Sequence, residues 1–319
     1  MSQPMDRKLA LEAVRVTEAA AMAAWRQIGR GDERGADQAA VEAMRTALNG
    51  LAIEGTVVIG EGERDEAPML YIGERVGTGG VAVDIALDPL EGTTLTAKAL
   101  PDALTVIAIA EKGSLLNAPD TYMDKIAVGP GFPEGVIDLD ADPADNVLAV
   151  AKARGVPPAE ITACILDRPR HAAIIAAVRN AGAAVRLITD GDIAGIIATS
   201  DPATGVDLYL GQGGAPEGVL AAAALRCVGG QIQARLVFRN DDERGRAARL
   251  GISDFGRKYK LTDLARGDVV FAATGVTDGS MLQGVHRHGE FVDTSSILMR
   301  SGTRTVRWIK ARHIRGHAP

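Results

Sequence analysis

Apolar residues recur at helical spacing from Asp6 to Gly29, through Leu9, Val14, Val16 and the Ala20–Trp25 stretch. Gly29 and Gly31 end that pattern. A second helix is predicted from Asp37 to Leu48, with Val41, Met44 and Leu48 on one face. Asp37 would stand at its N-terminal end, where a carboxylate suits the helix dipole. Strand-like runs follow at Val57–Ile59, Met69–Ile72, Val81–Leu87, Leu104–Ala110 and Lys125–Val128. Beyond residue 160 the pattern alternates. Strands at Ile161–Leu166, Val185–Thr189 and Val206–Leu210 are interleaved with helices at Ala172–Arg179, Ile193–Ala198 and Val219–Cys227. That alternation predicts a parallel α/β layer. Later strands are expected at Gln233–Phe238, Val269–Ala272 and Val306–Ile309, and charge-rich Asn240–Arg249 reads as an exposed turn or loop. Pro157–Pro158 interrupts helix and sheet alike and marks an expected boundary between units 1–157 and 158–319.

Composition narrows the class. The chain has 319 residues, 46 % of them apolar, enough for sizeable cores. A formal charge of −6 argues against a general nucleic-acid binder, which needs basic surface. The chain lacks 18 consecutive strongly apolar residues, so no spanning helix is expected. Met1–Ala10 is polar and carries no signal-peptide core. Cys164 and Cys227 lie far apart in apolar runs and read as buried free thiols of a cytoplasmic protein.

The charge is unevenly placed. Between Glu54 and Thr93 there are nine acids and two bases, Arg64 and Arg75. These acids alternate with apolar runs and glycines, unlike a solvated acidic tail. Carboxylates gathered at the ends of buried strands repel one another and are tolerated when a cation holds them together.

Four constellations could carry chemistry. The first, Gly60-Glu61-Gly62-Glu63-Arg64-Asp65-Glu66, directly follows a strand, and its glycines let carboxylates turn toward one point. In the second, Asp84 to Thr94, an apolar strand runs into Asp88, Pro89 breaks it, and Glu91 and Thr93 follow on a tight turn. Oxygen-only donors select hard cations such as Mg²⁺ or Mn²⁺. The third, Gly211-Gln212-Gly213-Gly214-Ala215-Pro216-Glu217-Gly218, stands between a strand and a helix and delivers a carboxylate at the mouth of a strand. The fourth pairs Asp167-Arg168-Pro169-Arg170-His171 with Asp190-Gly191-Asp192, each after a strand. Two arginines can fix a phosphate, and two aspartates can hold sugar hydroxyls. The chain has no Gly-x-x-x-x-Gly-Lys phosphate loop and no Gly-x-Ser-x-Gly elbow. His286 and His288 have no acid cluster beside them in the sequence and read as surface residues.

Together these segments resemble the class II fructose-1,6-bisphosphatases of bacteria, members of the lithium-sensitive sugar-phosphatase superfamily. The resemblance runs through Arg15-Val16-Thr17-Glu18-Ala19-Ala20, Gly60 to Glu74, Asp88-Pro89-Leu90-Glu91-Gly92-Thr93, Asn117-Ala118-Pro119-Asp120, Arg168-Pro169-Arg170-His171 and Gly213 to Gly218. It implies a layered α/β/α/β/α fold of two subdomains, the N-terminal one binding metal and the C-terminal one completing the active site. It implies that Asp37 and Glu61 serve one Mn²⁺ or Mg²⁺ ion, and that Asp88, Glu91 and Glu217 serve a second. Glu91, Gly92, Thr93, Tyr122, Arg168, Pro169, Arg170, Asp190, Gly191, Asp192 and Gly214 would contact a sugar bisphosphate.

The expected reaction is hydrolysis of the 1-phosphate of fructose 1,6-bisphosphate by an activated water. Asp37 or Asp65, with Thr93, would orient and deprotonate that water, and superfamily analogy favours Asp37 with Thr93. Arg168 and Arg170 would anchor the distal phosphate. Sedoheptulose 1,7-bisphosphate is the alternative substrate. The resemblance also implies a homo-oligomer, dimer or tetramer, with no nucleic-acid or membrane partner.

Overall fold

The computed structural model describes residues 7–62 and 68–314. The chain folds as two compact units. The first takes residues up to Leu116 and those from Arg266 onward, and the second is Asn117–Ala265. This division differs from the expected one. Pro157–Pro158 falls inside the second unit, where the two prolines merely join a helix to a strand through a short 3₁₀ turn.

The first unit opens with two helices, α1 (Arg7–Trp25) and α2 (Glu33–Asn49). Asp32 caps α2, its side chain accepting from Gly35 N–H at 2.9 Å. Then come β1 (Ile53–Ile59), β2 (Arg75–Val76), β3 (Val81–Glu91), the short α3 (Thr93–Ala97) and β4 (Leu104–Glu111). Met69–Ile72, read as strand-like, forms no strand. Glu74 holds it as a turn, bonding Leu70 N–H and the Arg45 guanidinium.

The second unit contains β5 (Tyr122–Val128), α4 (Pro143–Arg154), β6 (Thr162–Leu166), α5 (Ala172–Asn180), β7 (Ala184–Ile188) and α6 (Asp192–Ala198). It continues with β8 (Leu208–Gly214), α7 (Ala215–Val228), β9 (Gln231–Val237), α8 (Asp241–Arg249), β10 (Tyr259–Lys260) and α9 (Leu261–Leu264). Its sheet has the order β10-β9-β5-β8-β6-β7. The expected parallel layer is confined to β8, β6 and β7, because β5 runs antiparallel to both its neighbours. Side chains alternate across the sheet. Ile126 and Val128 of β5 face Val147 and Val150 of α4, while Met123 and Lys125 face Gly218 of α7. Asn240–Arg249 is a helix and its cap rather than a loop. Asn240 accepts from Glu243 N–H at 2.9 Å, acids fill the first turn and arginines the last, and the charges suit the helix dipole.

The chain then returns to the first unit as β11 (Val269–Gly275), β12 (His286–His288), β13 (Phe291–Arg300) and β14 (Thr305–Ile314). The first sheet has the order β12-β13-β11-β4-β3-β1-β2, with β14 on β13. Among the described residues, only the β1–β3 pairing in it is parallel. Its inward residues, among them Ile53, Val57, Ile85, Ile107 and Ala272, share one core with the apolar faces of α1 and α2. Both units therefore carry mixed sheets with packed helices, and the chain is of the α/β class. Among the described residues, no helix is long and apolar enough to cross a membrane.

Candidate active site

In the first unit, the parallel register of β1 and β3 does the gathering. Ile59 pairs with Ala86, so the residues two places beyond, Glu61 and Asp88, leave the sheet side by side. Gly60 permits the turn: a Cβ there would run into the Leu70 carbonyl. The same turn is closed by Glu61 N–H donating to Leu70 O at 3.1 Å.

Asp88 and Glu91 would ordinarily point to opposite faces, being three residues apart on one strand. A β-bulge changes that. Asp88 pairs with Val106 and Glu91 with Leu104, so β3 spends one more residue than β4 over the same span. Pro89 cannot donate to the ladder, and Leu90 N–H turns to Asp88 Oδ1 at 2.9 Å. The bulge returns Glu91 to the face of Asp88, with carboxylate oxygens within 4.8 Å of each other. Gly92 then takes a left-handed conformation, φ 91°, and starts α3 with half-buried Thr93 as its first residue.

Asp37 does not stand at the start of α2 as expected. The helix begins one turn earlier at Glu33, and Asp37 lies in its second turn, half-buried. Burial and the nearby carboxylates of Asp37 and Asp88 push Glu61 up to about 9, and burial pushes Asp37 up as well. Such mutual repulsion among oxygen donors suits a hard divalent cation. Three other acids of the stretch, Glu54, Glu74 and Asp84, serve the fold. Glu54 pairs with Arg75, Glu74 with Arg45, and buried Asp84 accepts from Ser114 N–H at 2.9 Å. Asp65 lies outside the described residues.

In the second unit, β6, β7 and β8 run parallel and end at one edge, where ligands of α/β sheets bind. Arg168, Pro169 and Arg170 follow β6, Asp190-Gly191-Asp192 follows β7, and Gly214 ends β8 with Glu217 just beyond it. Antiparallel β5 begins at that edge, with Tyr122 on one rung with Gly214 and Val237. Arg170 stacks over the Tyr122 ring at 5.0 Å and donates to Gln212 O at 2.8 Å. Arg168 is half-buried and donates to the carbonyl of Asp167. Half-buried Asp190 accepts from Gly191 N–H, and buried Asp192 forms an ion pair with Lys125. Glu217 sits in the first turn of α7, its carboxylate folded over Gly214.

The sequence profile described as "Bacterial fructose-1,6-bisphosphatase, glpX-encoded" matches residues 7–313. The chain belongs to this family of bacterial fructose-1,6-bisphosphatases. It is 49 % identical to "Fructose-1,6-bisphosphatase 1 class 2" of Escherichia coli K12 over 97 % of its own length and 96 % of the relative's. The "Fructose-1,6-bisphosphatase class 2" proteins of Escherichia coli O6:H1 and Shigella flexneri match to the same extent.

Three residues of the family's phosphatase scaffold carry geometry that the sequence did not single out. Arg239, just past β9, stacks on the same Tyr122 ring as Arg170, also at 5.0 Å. Glu243 buttresses it, accepting from Arg239 Nε at 2.6 Å and from its N–H at 2.7 Å. Lys125 looks unremarkable in its strand, yet its side chain is fully buried. The rung shared by Tyr122 and Val237 could have exposed Arg239 only once the pairing was known. His286 and His288 lie exposed on β12, as expected, and Cys164 and Cys227 are buried.

Proposed function

We propose that this chain hydrolyses the 1-phosphate of fructose 1,6-bisphosphate, giving fructose 6-phosphate and phosphate, with two divalent ions, Mn²⁺ or Mg²⁺. The observation that carries this reading is the convergence of Asp37, Glu61 and Asp88, where burial first and the neighbouring carboxylates second push Glu61 up to about 9. Family membership supplies the reaction class. Asp37 and Glu61 would hold one ion, and Asp88, Glu91 and Glu217 the other. When bound, the ions offset charge on the transferring phosphoryl group and the leaving oxygen. Asp37, with the Thr93 hydroxyl, orients the attacking water and takes its proton. The water oxygen bonds to phosphorus, the phosphorus–oxygen bond to C1 breaks, and the sugar oxygen leaves with a proton drawn from solvent.

Arg168 and Arg170 fix the distal phosphate, with Pro169 shaping their turn and Tyr122 serving as the platform of Arg170. Asp190, Gly191 and Asp192, with Gly92, Thr93 and Gly214, line the sugar. Sedoheptulose 1,7-bisphosphate, whose hydrolysed end is chemically equivalent, is the second candidate substrate. The family also suggests a cytoplasmic homo-oligomer.

The test is phosphate release from fructose 1,6-bisphosphate before and after chelation. Activity should vanish on chelation and return with Mn²⁺ or Mg²⁺. Turnover that survives complete chelation overturns the metal-dependent reading. Parallel kcat/KM measurements on the two sugar bisphosphates rank the substrates.

A further inference from the structure

Lys125 is a buried cation in the middle of a sheet, 1 % exposed. Its strand neighbours on the same face, Met123 and Ala127, are uncharged, and a buried ammonium is costly wherever a Met would pack. Two groups satisfy it. Asp192, the first residue of α6, forms the ion pair, and the Gly214 carbonyl accepts from Nζ at 2.8 Å. The surrounding glycines are cut to fit. A Cβ at Gly213 would overlap the Asp192 carboxylate and stand 3.0 Å from Lys125 Nζ. A Cβ at Gly218 would press on Met123 and on Lys125 Cδ.

The two partners matter more than the pair. Gly214 is the residue from which α7 starts, and the Glu217 carboxylate lies over it. Asp192 closes the Asp190–Asp192 turn after β7. One ammonium thus ties together two strand-to-helix junctions that are 22 residues apart in sequence.

We propose that Lys125 is a positioning residue for Glu217: by holding the Gly214 carbonyl it sets the start of α7 and so the reach of that glutamate toward a divalent cation. The proposal rests on the metal-dependent reading above. It separates two roles that a purely structural ion pair would keep together. Cation binding should follow Lys125, whereas sugar-phosphate binding should follow Asp192.

The experiment is calorimetric Mn²⁺ titration of the full chain, without substrate, for the wild type, D192N, K125M and K125M/D192N. D192N keeps the bond to Gly214 and should bind Mn²⁺ like the wild type, while its KM rises. K125M should weaken one of the two Mn²⁺ binding events about tenfold or more, the usual effect of losing a group that orients a ligand. The double variant leaves no lone buried carboxylate, so it remains informative if K125M alone does not fold. It should show the same weakened event. Equal Mn²⁺ affinity in D192N and in the double variant overturns the proposal. A wild type that neither takes up Mn²⁺ nor releases phosphate overturns the functional reading, and the proposal with it.

Discussion

The Glu217 carboxylate occupies the space where a side chain on Gly214 would begin. Gly214 has φ −66° and ψ 147°, a conformation open to any residue, so glycine is needed there for room and not for backbone freedom. The obstructing atom is the far end of a flexible side chain, which can swing away at little cost to the fold. Gly214→Ala should therefore leave the thermal midpoint nearly unchanged while kcat/KM falls about 10–100-fold, as for other disturbed ligands. Full activity in this variant would mean that Glu217 works equally well from another position.

Glu61 predicts a pH dependence with a definite sign. Its ordinary value is 4.5 and its value in the fold is about 9. Between those limits the unfolded chain has lost the proton and the native metal-free chain keeps it. Rising pH then favours unfolding, by at most about 1.4 kcal/mol per pH unit. Urea midpoints of the chelated protein should fall from pH 6 to pH 8.5, and Glu61→Gln should flatten that slope. Cation loading must also release the Glu61 proton, so Mn²⁺ binding heats should change with the ionisation enthalpy of the buffer. Buffer-independent heats would place Glu61 outside the ligand set.

The contrast between the legible and illegible parts has physical causes. Strands with continuous burial are plain in the text: Leu104–Ala110 is expected and Leu104–Glu111 is found. Asp88-Pro89-Leu90-Glu91 signals a broken strand, but only pairing with β4 shows that the bulge re-aims Glu91. The helix Asp241–Arg249 hides behind its charges because it buries only Glu243 and Ala247. Lys125 escapes notice for a different reason. A lysine on a strand reads as solvent-facing, and its partner Asp192 lies 67 residues away.

Tyr122 carries two guanidinium groups, those of Arg170 and Arg239, both 5.0 Å from its ring. Both residues are exposed, so each can meet a phosphate from solvent. Arg170→Ala and Arg239→Ala should each raise KM for the bisphosphate about tenfold, the worth of a charge-assisted hydrogen bond, with a smaller change in kcat. A monophosphate cleaved at the same end should show no such loss. If Arg239→Ala leaves KM intact, that arginine only braces the ring.

His171 is held by a polar contact at each ring nitrogen. Its Nε2 accepts the Gln212 N–H at 2.9 Å, so its Nδ1 must carry the proton that it donates to Leu166 O at 2.7 Å. The ring is neutral, and burial holds its pKa below the usual 6.5. Protonation would put a second hydrogen where Gln212 already points one. His171 therefore stabilises the fold fully above pH 6.5, and that stability is lost as pH falls through the lowered pKa. His171→Phe keeps the ring against Gly211 but abandons both polar partners, a loss of about 2–5 kcal/mol. Urea midpoints at pH 7 and pH 5 check both statements. The variant should start lower and fall less between the two pH values. Because the Gln212 carbonyl also holds Arg170 at 2.8 Å, its KM for the bisphosphate should rise as well. A variant with equal acid sensitivity would show that other groups titrate there instead.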